Sequence, residues 1–246
     1  MIPCYNEAEG VAQLCKRLRS LVPLVGGKGK VEVIFVDDGS RDGTADRIKI
    51  EAKGLPYRIV THIQNRGLGA ALRTGFAESK GAEVVTLDSD CTYDPMQAKD
   101  LLRTLRSGYD VVTGSPYHPR GEVVGVEKWR LFMSKSLSRF YWVIVPQRLY
   151  TYTSCFRAYR GEVLTQIHAT DDGFLGVTQL LVDAILQGYK VGEIPARLTR
   201  RRFGQSKIRI LRVVISHLRY LLYIGYLRLS GNHRNTTSLV SGKQIE

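Results

Sequence analysis

The sequence predicts an α/β fold, a mostly parallel sheet with helices on both faces. Three observations predict it. Apolar, β-branched runs alternate with segments of helical spacing through the first half of the chain. Polar clusters stand at the carboxyl ends of those runs, where open parallel sheets bind their ligands. The chain has 246 residues, 43% hydrophobic and 24% charged, which suits a globular protein and excludes disordered or collagen-like structure.

The elements follow in order. A first strand opens at Met1 and Ile2 and runs into Tyr5-Asn6-Glu7. Residues 31–36 form an apolar strand ending in Asp37-Asp38-Gly39-Ser40, a loop signal. Residues 45–52 suit a helix and 57–61 a short strand. Helical spacing places Leu68, Leu72 and Phe76 in one row over 68–79. Residues 83–87 form a strand ending at Asp88. Pro95 suits a helix start, with Leu101, Leu102 and Leu105 as its buried side, and 109–114 is the next strand. In the second half, 127–145 is expected to be helical, with Trp129, Phe132, Met133, Leu137 and Phe140 along one side. A strand at 156–159, a helix at 176–187 and a strand at 190–194, stopped by Pro195, complete the reading. No internal repeat or low-complexity linker interrupts it. The expected division is a catalytic-type domain at 1–207, basic amphipathic helices at 208–231 and a flexible tail at 232–246.

Charge sharpens the class of partner. Lys and Arg number 36 against 23 Asp and Glu, a formal charge of +13, which favours anionic partners. The surplus is concentrated, since no Asp or Glu occurs from Ile194 to Ile245. In that stretch arginines alternate with Ile, Leu and Val, the pattern of a helix lying on a membrane surface or of a basic helix face exposed to water. Its longest charge-free apolar run, 220–227, falls well short of the roughly 20 residues a spanning helix needs. The four cysteines, Cys4, Cys15, Cys91 and Cys155, form no CxxC pair, so neither a zinc site nor a disulfide framework is expected, and a reducing compartment fits. A nucleic-acid-binding module is disfavoured, because the acidic loops would repel a phosphate backbone and no recognition motif appears.

The carboxylates carry the chemical signal. Asp88 and Asp90 flank one residue at a strand end, a spacing that suits either a hard divalent cation or a solvated acidic turn. Asp37 and Asp38 suit a turn in which Asp42 or Thr44 caps the next helix, yet Asp38 is also placed to accept hydrogen bonds from a ribose or base. Gly67 and Gly69 suit a turn and helix entry better than a phosphate loop, since no GxGxxG or Walker pattern is present. No Ser-His-Asp or Cys-His grouping stands out, and the five histidines show no metal-ligand spacing.

Taken as an ordered series, IPCYNE (2–7), VDDGSRDGT (36–44), NRGLGAALRTGF (65–76) and LDSDCTYDP (87–95) resemble the family 2 glycosyltransferases of the GT-A fold. Downstream, TSCFRAYRGEVL (153–164), EIP (193–195) and RRFGQSK (201–207) are similar to the dolichol-phosphate mannose synthase branch, which includes bacterial polyprenyl-phosphate glycosyltransferases. The resemblance spans residues 2 to about 210. It implies a metal-dependent transfer of a hexose from a nucleotide sugar, GDP-mannose or UDP-glucose, to a polyprenyl phosphate with inversion. It implies that Pro3, Tyr5, Glu7, Asp38, Asp88 and Ser89 hold the nucleotide sugar, with Arg201, Ser206 and Lys207 on a loop that closes over the diphosphate. Asp88 and Asp90 are implied as ligands of Mg²⁺ or Mn²⁺, and Arg130 and Ser134 as contacts of the acceptor phosphate. Asp90, Arg130 and Arg201 are the residues implied to carry the chemistry. The resemblance also implies peripheral attachment to the cytoplasmic face of a membrane and leaves room for an anchoring subunit. Transfer to a polysaccharide or other glycan, and nucleotide-sugar binding without turnover, are the alternative expectations.

The chain departs from the family pattern at named positions. Thr92 stands where a Gln is common, and Pro116 follows Gly114-Ser115 where an Arg is common, with Arg120 as a candidate substitute. Thr151 replaces an Asp, and Cys155 replaces a Gly. Only Met1 and Ile2 precede PCYNE, so the expectation is either a start assigned late or a truncated first strand, and loss of a central parallel strand would expose hydrophobic surface.

Overall fold

The structure, a computed structural model, describes residues 1–27, 29–204 and 210–230. In chain order the elements are β1 (Ile2–Cys4), α1 (Val11–Val25), β2 (Val33–Asp37), α2 (Thr44–Glu51), β3 (Tyr57–Thr61), α3 (Leu68–Glu78), β4 (Glu83–Thr86), α4 (Ala98–Arg106), β5 (Val111–Ser115) and β6 (Glu122–Val124). They continue with α5 (Lys128–Ile144), β7 (Arg157–Arg160), α6 (Gly161–Leu164), α7 (Leu175–Leu186), β8 (Val191–Pro195), β9 (Arg197–Thr199) and α8 (Ile210–Leu229).

The predicted alternation of strands and helices holds. Parallel strands β1, β2 and β3 form one ladder, and β4, β7, β5 and β8 form another. Met1 joins them: its amino group donates to the Val85 carbonyl at 2.7 Å, and Leu87 N donates to the Met1 carbonyl at 3.1 Å. The resulting strand order is β3-β2-β1-β4-β7-β5-β8. β7 runs antiparallel to both β4 and β5, whereas β8 is parallel to β5. The first strand is three residues long and fills its central place in the sheet. Met1, Ile2 and Cys4 are all buried, with the Met1 side chain seated against Gly75.

Hydrophobic packing forms on both faces. One core gathers Leu14, Leu18, Ile48, Leu101 and Leu105 from α1, α2 and α4 over Phe35 and Val112. The other gathers Leu72, Phe76, Leu180 and Leu181 from α3 and α7 over Val36 and Val111. Tyr141 of α5 and Leu221 and Ile224 of α8 join this second core. Helix α1 is absent from the expected elements, although Val11, Leu14, Cys15, Leu18, Leu21 and Val22 carry the 3–4 spacing and are all buried. The small β6–β9 ladder is also unforeseen, because three-residue strands carry too little periodicity to register.

Two helices behave unexpectedly. Of the apolar row of α5, Trp129, Phe132, Met133 and Phe140 are exposed, as is Val143 nearby, whereas Leu137 packs against the second core. A single helix, rather than several, occupies 210–229. It buries His217, Leu221, Ile224 and Leu227 but leaves Leu211, Leu222, Tyr226 and Leu229 exposed. α8 packs on α5 and α7. Tyr141 Oη and His217 Nδ1 lie 2.8 Å apart in the α5 contact, and Arg228 donates to the Ile144 carbonyl. No helix among the described residues is long and apolar enough to cross a membrane.

Candidate active site

The carboxyl ends of β1, β2 and β4 open onto a cavity of about 980 Å³. Pro3, Tyr5, Glu7, Asp38, Asp88, Ser89, Asp90, Arg130, Ser134 and Arg201 all line it, so the structure brings together every described residue implied by the resemblance. Ser206 and Lys207 lie outside the described residues.

The loop after β1 is held by the loop after β2. Asn6 adopts a left-handed conformation with φ 53°, accepts from Arg41 N and donates its own N–H to Ser40 Oγ. Glu7 N donates to Thr44 Oγ1 at 2.8 Å and Ala8 N to Asp42 at 3.1 Å. Asp42 also accepts from Thr44 N, so it ties the start of α2 to the β1 loop.

Asp38 is fully engaged. Its Oδ1 accepts from His62 Nδ1 at 2.6 Å and Arg66 N at 2.9 Å, and its Oδ2 from Asn65 Nδ2 and Gly67 N, each at 2.7 Å. Four bonds fill the acceptor sites of a carboxylate. His62, buried and given no role by the sequence, is held on its other side by Thr74 Oγ1 at 2.9 Å. Gly67 and Gly69 then serve packing, as their turn-like sequence suggests. A Cβ on Gly69 would stand 2.1 Å from the Asp171 carbonyl, and one on Gly67 2.3 Å from that of Asp172. Gly69 N and Ala70 N donate to the Gly173 and Asp172 carbonyls, so these amides bind the neighbouring loop.

Asp88 and Asp90 occupy the tight turn after β4, whose bend places Cys91 at φ 55°. Asp90 Oδ1 accepts from Thr92 N at 3.0 Å, which fixes the turn and leaves Oδ2 facing Arg201. Burial, and next the charge of Asp90, pushes the Asp88 carboxyl up to about 7, against the opposing pull of Arg201 and Arg157. Arg201 bridges the two acidic loops. It pairs with Glu7 through Nη2, lies 3.7 Å from Asp90 through Nη1, and donates from Nε to the Phe203 carbonyl at 2.6 Å. Burial lowers its pKa, but the hydrogen bond to Glu7 and the charges of Asp90 and Asp88 outweigh that and raise it.

Beneath this turn lies Arg157, fully buried. Its guanidinium donates to the Tyr152 carbonyl at 2.6 Å and to the Val177 carbonyl. The FR pair of the motif is therefore an internal brace between β7, α7 and the 150–155 segment. Thr151, where the family has Asp, is buried, and its N–H donates to Glu193 of EIP at 2.9 Å. Cys155 is buried too, and burial pushes its thiol far up, so it stays protonated and unreactive.

Helix α5 and the segment before it also line the cavity. Arg130 pairs with Glu127 at 2.9 Å and lies 5.3 Å from the Trp129 ring. Ser134 Oγ is 3.3 Å from Thr153 Oγ1. Arg120 is exposed and does not line the cavity, so it does not fill the position left by Pro116, which does. Arg200 and Arg212 line the cavity instead. The sequence shows them only as members of a basic tract, without a spacing to single them out.

Comparison with known proteins agrees with this architecture. Residues 1–167 match the glycosyl transferase family 2 domain. The chain is 34% identical over 218 residues to the polyprenol monophosphomannose synthase of Mycolicibacterium smegmatis, covering 85% of this chain and 79% of that protein. It is 31% identical over 215 residues to the undecaprenyl-phosphate mannosyltransferase of Micrococcus luteus, covering 85% and 86%. Among solved structures, glucosyl-3-phosphoglycerate synthase from Mycobacterium tuberculosis, in complex with Mn²⁺, UDP and phosphoglyceric acid, superposes with a TM-score of 0.67. That match is 22% identical, covers 92% of this chain and 76% of the other, and establishes a common GT-A fold. From its paired strand-end aspartates to its match over more than half its length, the chain belongs to glycosyl transferase family 2, beside the polyprenyl-phosphate mannosyltransferases.

Proposed function

We propose that this enzyme transfers a hexose, mannose in the first instance, from a nucleotide sugar to a polyprenyl monophosphate. The observation that carries the reading is the division of charge along one cavity. Glu7, Asp88 and Asp90 line it from the strand ends around Arg201, and Arg130, paired with Glu127, and Arg212 line it from α5 and α8. An acidic part suits a cation-bound diphosphate, and a basic part suits a phosphate acceptor. Three relatives named for mannosyl transfer to polyprenols favour that donor and acceptor.

Asp88 and Asp90 would hold Mg²⁺ or Mn²⁺. The donor set fits, because burial first and the charge of Asp90 second push the Asp88 carboxyl up, and a bound cation would offset both. A hard cation needs only one or two carboxylates from the protein, since water and substrate phosphate oxygens complete its shell. Bound there, the metal supplies positive charge to the leaving diphosphate.

The chain's own residues do the rest. Tyr5, Pro3 and Ser89 form the wall against which the nucleotide sugar lies, beside the loop stapled by Asp38. Arg201 turns from Glu7 and Asp90 toward the diphosphate, with Lys207 of the same loop. Arg130 and Ser134 orient the acceptor phosphate. Its oxygen forms the new bond to the anomeric carbon while the bond to the diphosphate breaks, and the electron pair leaves with the diphosphate. The attacking oxygen is already ionised near neutral pH, so no general base is needed, and one displacement inverts the anomeric centre.

The exposed apolar rows of α5 and α8, flanked by Arg130, Lys135, Arg139 and Arg212, form the surface that meets the bilayer. Labelled GDP-mannose and UDP-glucose, each offered with a short polyprenyl phosphate and Mg²⁺ or Mn²⁺, test the reading. Label entering the organic phase, and failing to enter with EDTA, is the expected result. Transfer at an undiminished rate in EDTA overturns the metal role, and label remaining entirely in water-soluble products overturns the acceptor.

A further inference from the structure

The acceptor part of the cavity contains a charge mismatch that Arg130 does not resolve. Arg130 and Glu127 both line the cavity and are ion-paired at 2.9 Å, so together they bring no net charge. A phosphate monoester carries roughly −1.5 to −2 at neutral pH. A site made from Arg130 and Ser134 alone is therefore short of positive charge.

Arg212 supplies it. It is the third residue of α8, and it lines the same cavity. Its helix packs on α5, which carries Arg130 and Ser134. The Tyr141–His217 contact and the Arg228–Ile144 hydrogen bond hold the two helices together. Among the described residues Arg212 forms no ion pair, unlike Arg130 and Arg201. Its own stretch of chain contains no carboxylate side chain to neutralise it. Arg200 also lines the cavity, but it belongs to the strand wall next to Arg201, with its N–H on the Val124 carbonyl.

We infer that Arg212 is a second ligand of the acceptor phosphate, an inference that rests on the reading of the acceptor as a prenyl phosphate. A guanidinium presents a planar fork to two phosphate oxygens. Two arginines from two packed helices clamp the headgroup, and the hydrocarbon chain leaves along the exposed apolar side of the same helices.

The test is calorimetric titration of the full chain with farnesyl phosphate in the absence of vesicles, alongside sugar transfer by the same preparations. Wild type is compared with Arg212→Gln, Arg212→Lys and Arg219→Gln. Arg219 is exposed, two turns further along α8 and outside this cavity, so it controls for loss of a charge on the helix. Arg212→Gln is expected to weaken binding roughly tenfold or more, the loss of a charge-assisted contact. Arg212→Lys should recover part of it, while donor binding and the thermal midpoint stay at wild-type values. Equal affinities for Arg212→Gln and Arg219→Gln, in a preparation whose wild type transfers sugar to prenyl phosphate, overturn the assignment of Arg212 alone. A wild type that neither binds nor glycosylates farnesyl phosphate overturns the acceptor reading and this inference with it.

Discussion

Acid should loosen α8 through one side chain. His217 is 1% exposed, and its ring sits edge-on to Tyr141 with Nδ1 2.8 Å from the hydroxyl. Burial holds its pKa down from the ordinary 6.5 to about 4. The unfolded chain therefore takes up a proton near pH 6.5, and the folded chain does not until about pH 4. Stability is highest above the unfolded value and falls as pH drops through this window. The full penalty is about 3 kcal/mol, of which about 2 kcal/mol is already felt at pH 5. The assay is urea unfolding of wild type and His217→Gln between pH 7.5 and 4, read as the difference between the two stability curves, so that carboxylates common to both cancel. His217→Gln keeps a hydrogen-bonding group for Tyr141 without the titration. The difference should shrink by about 2 kcal/mol from pH 7.5 to pH 5. Parallel curves across that range refute the reasoning, as would a His217 ring titrating near 6.5 by NMR. Amide exchange should report the same loss first in α8, which is held by fewer contacts than the sheet.

Other substitutions separate chemistry from stability. Asp90→Asn keeps the acceptor for Thr92 N, so the urea midpoint should barely move while turnover falls roughly a hundredfold or more, measured by label transfer. Gly69→Ala drives a methyl group into the Asp171 carbonyl and should cost about 1–3 kcal/mol in chemical unfolding. Phe132→Asp combined with Val143→Asp removes two exposed apolar side chains. It should weaken co-sedimentation with anionic vesicles about a hundredfold, at roughly 1.5 kcal/mol for each side chain, and leave the thermal midpoint unchanged.

Much of the fold is legible because parallel strands are written as local apolar runs. The expected strands at 83–87 and 109–114 appear as Glu83–Thr86 and Val111–Ser115, and the helix at 68–79 as Leu68–Glu78. The insertion of β7 between β4 and β5 is not legible, since strand neighbours are chosen by contacts distant in sequence. The strand-end carboxylates announce the site. Arg201 is announced by its RRFGQSK motif, but the other arginines do not announce their duties: Arg157 is sealed in the core and Arg212 lines the cavity, yet both are single letters in a basic chain. Burial and charge balance, which only the packed chain defines, tell them apart.

The saturation of Asp38 has a consequence for redesigning the donor. Its four hydrogen bonds staple residues 62–67 to the end of β2, and Gly67 leads directly into α3. Removing the carboxylate would release two backbone amides, an asparagine and a buried histidine at once. An inactive Asp38 variant would thus report a collapsed wall rather than a lost nucleotide contact. A programme that aims to change which sugar nucleotide enters should keep this aspartate fixed as scaffolding. Variation belongs at other residues of the same wall, such as Pro3 and Ser89, which line the cavity at the ends of β1 and β4.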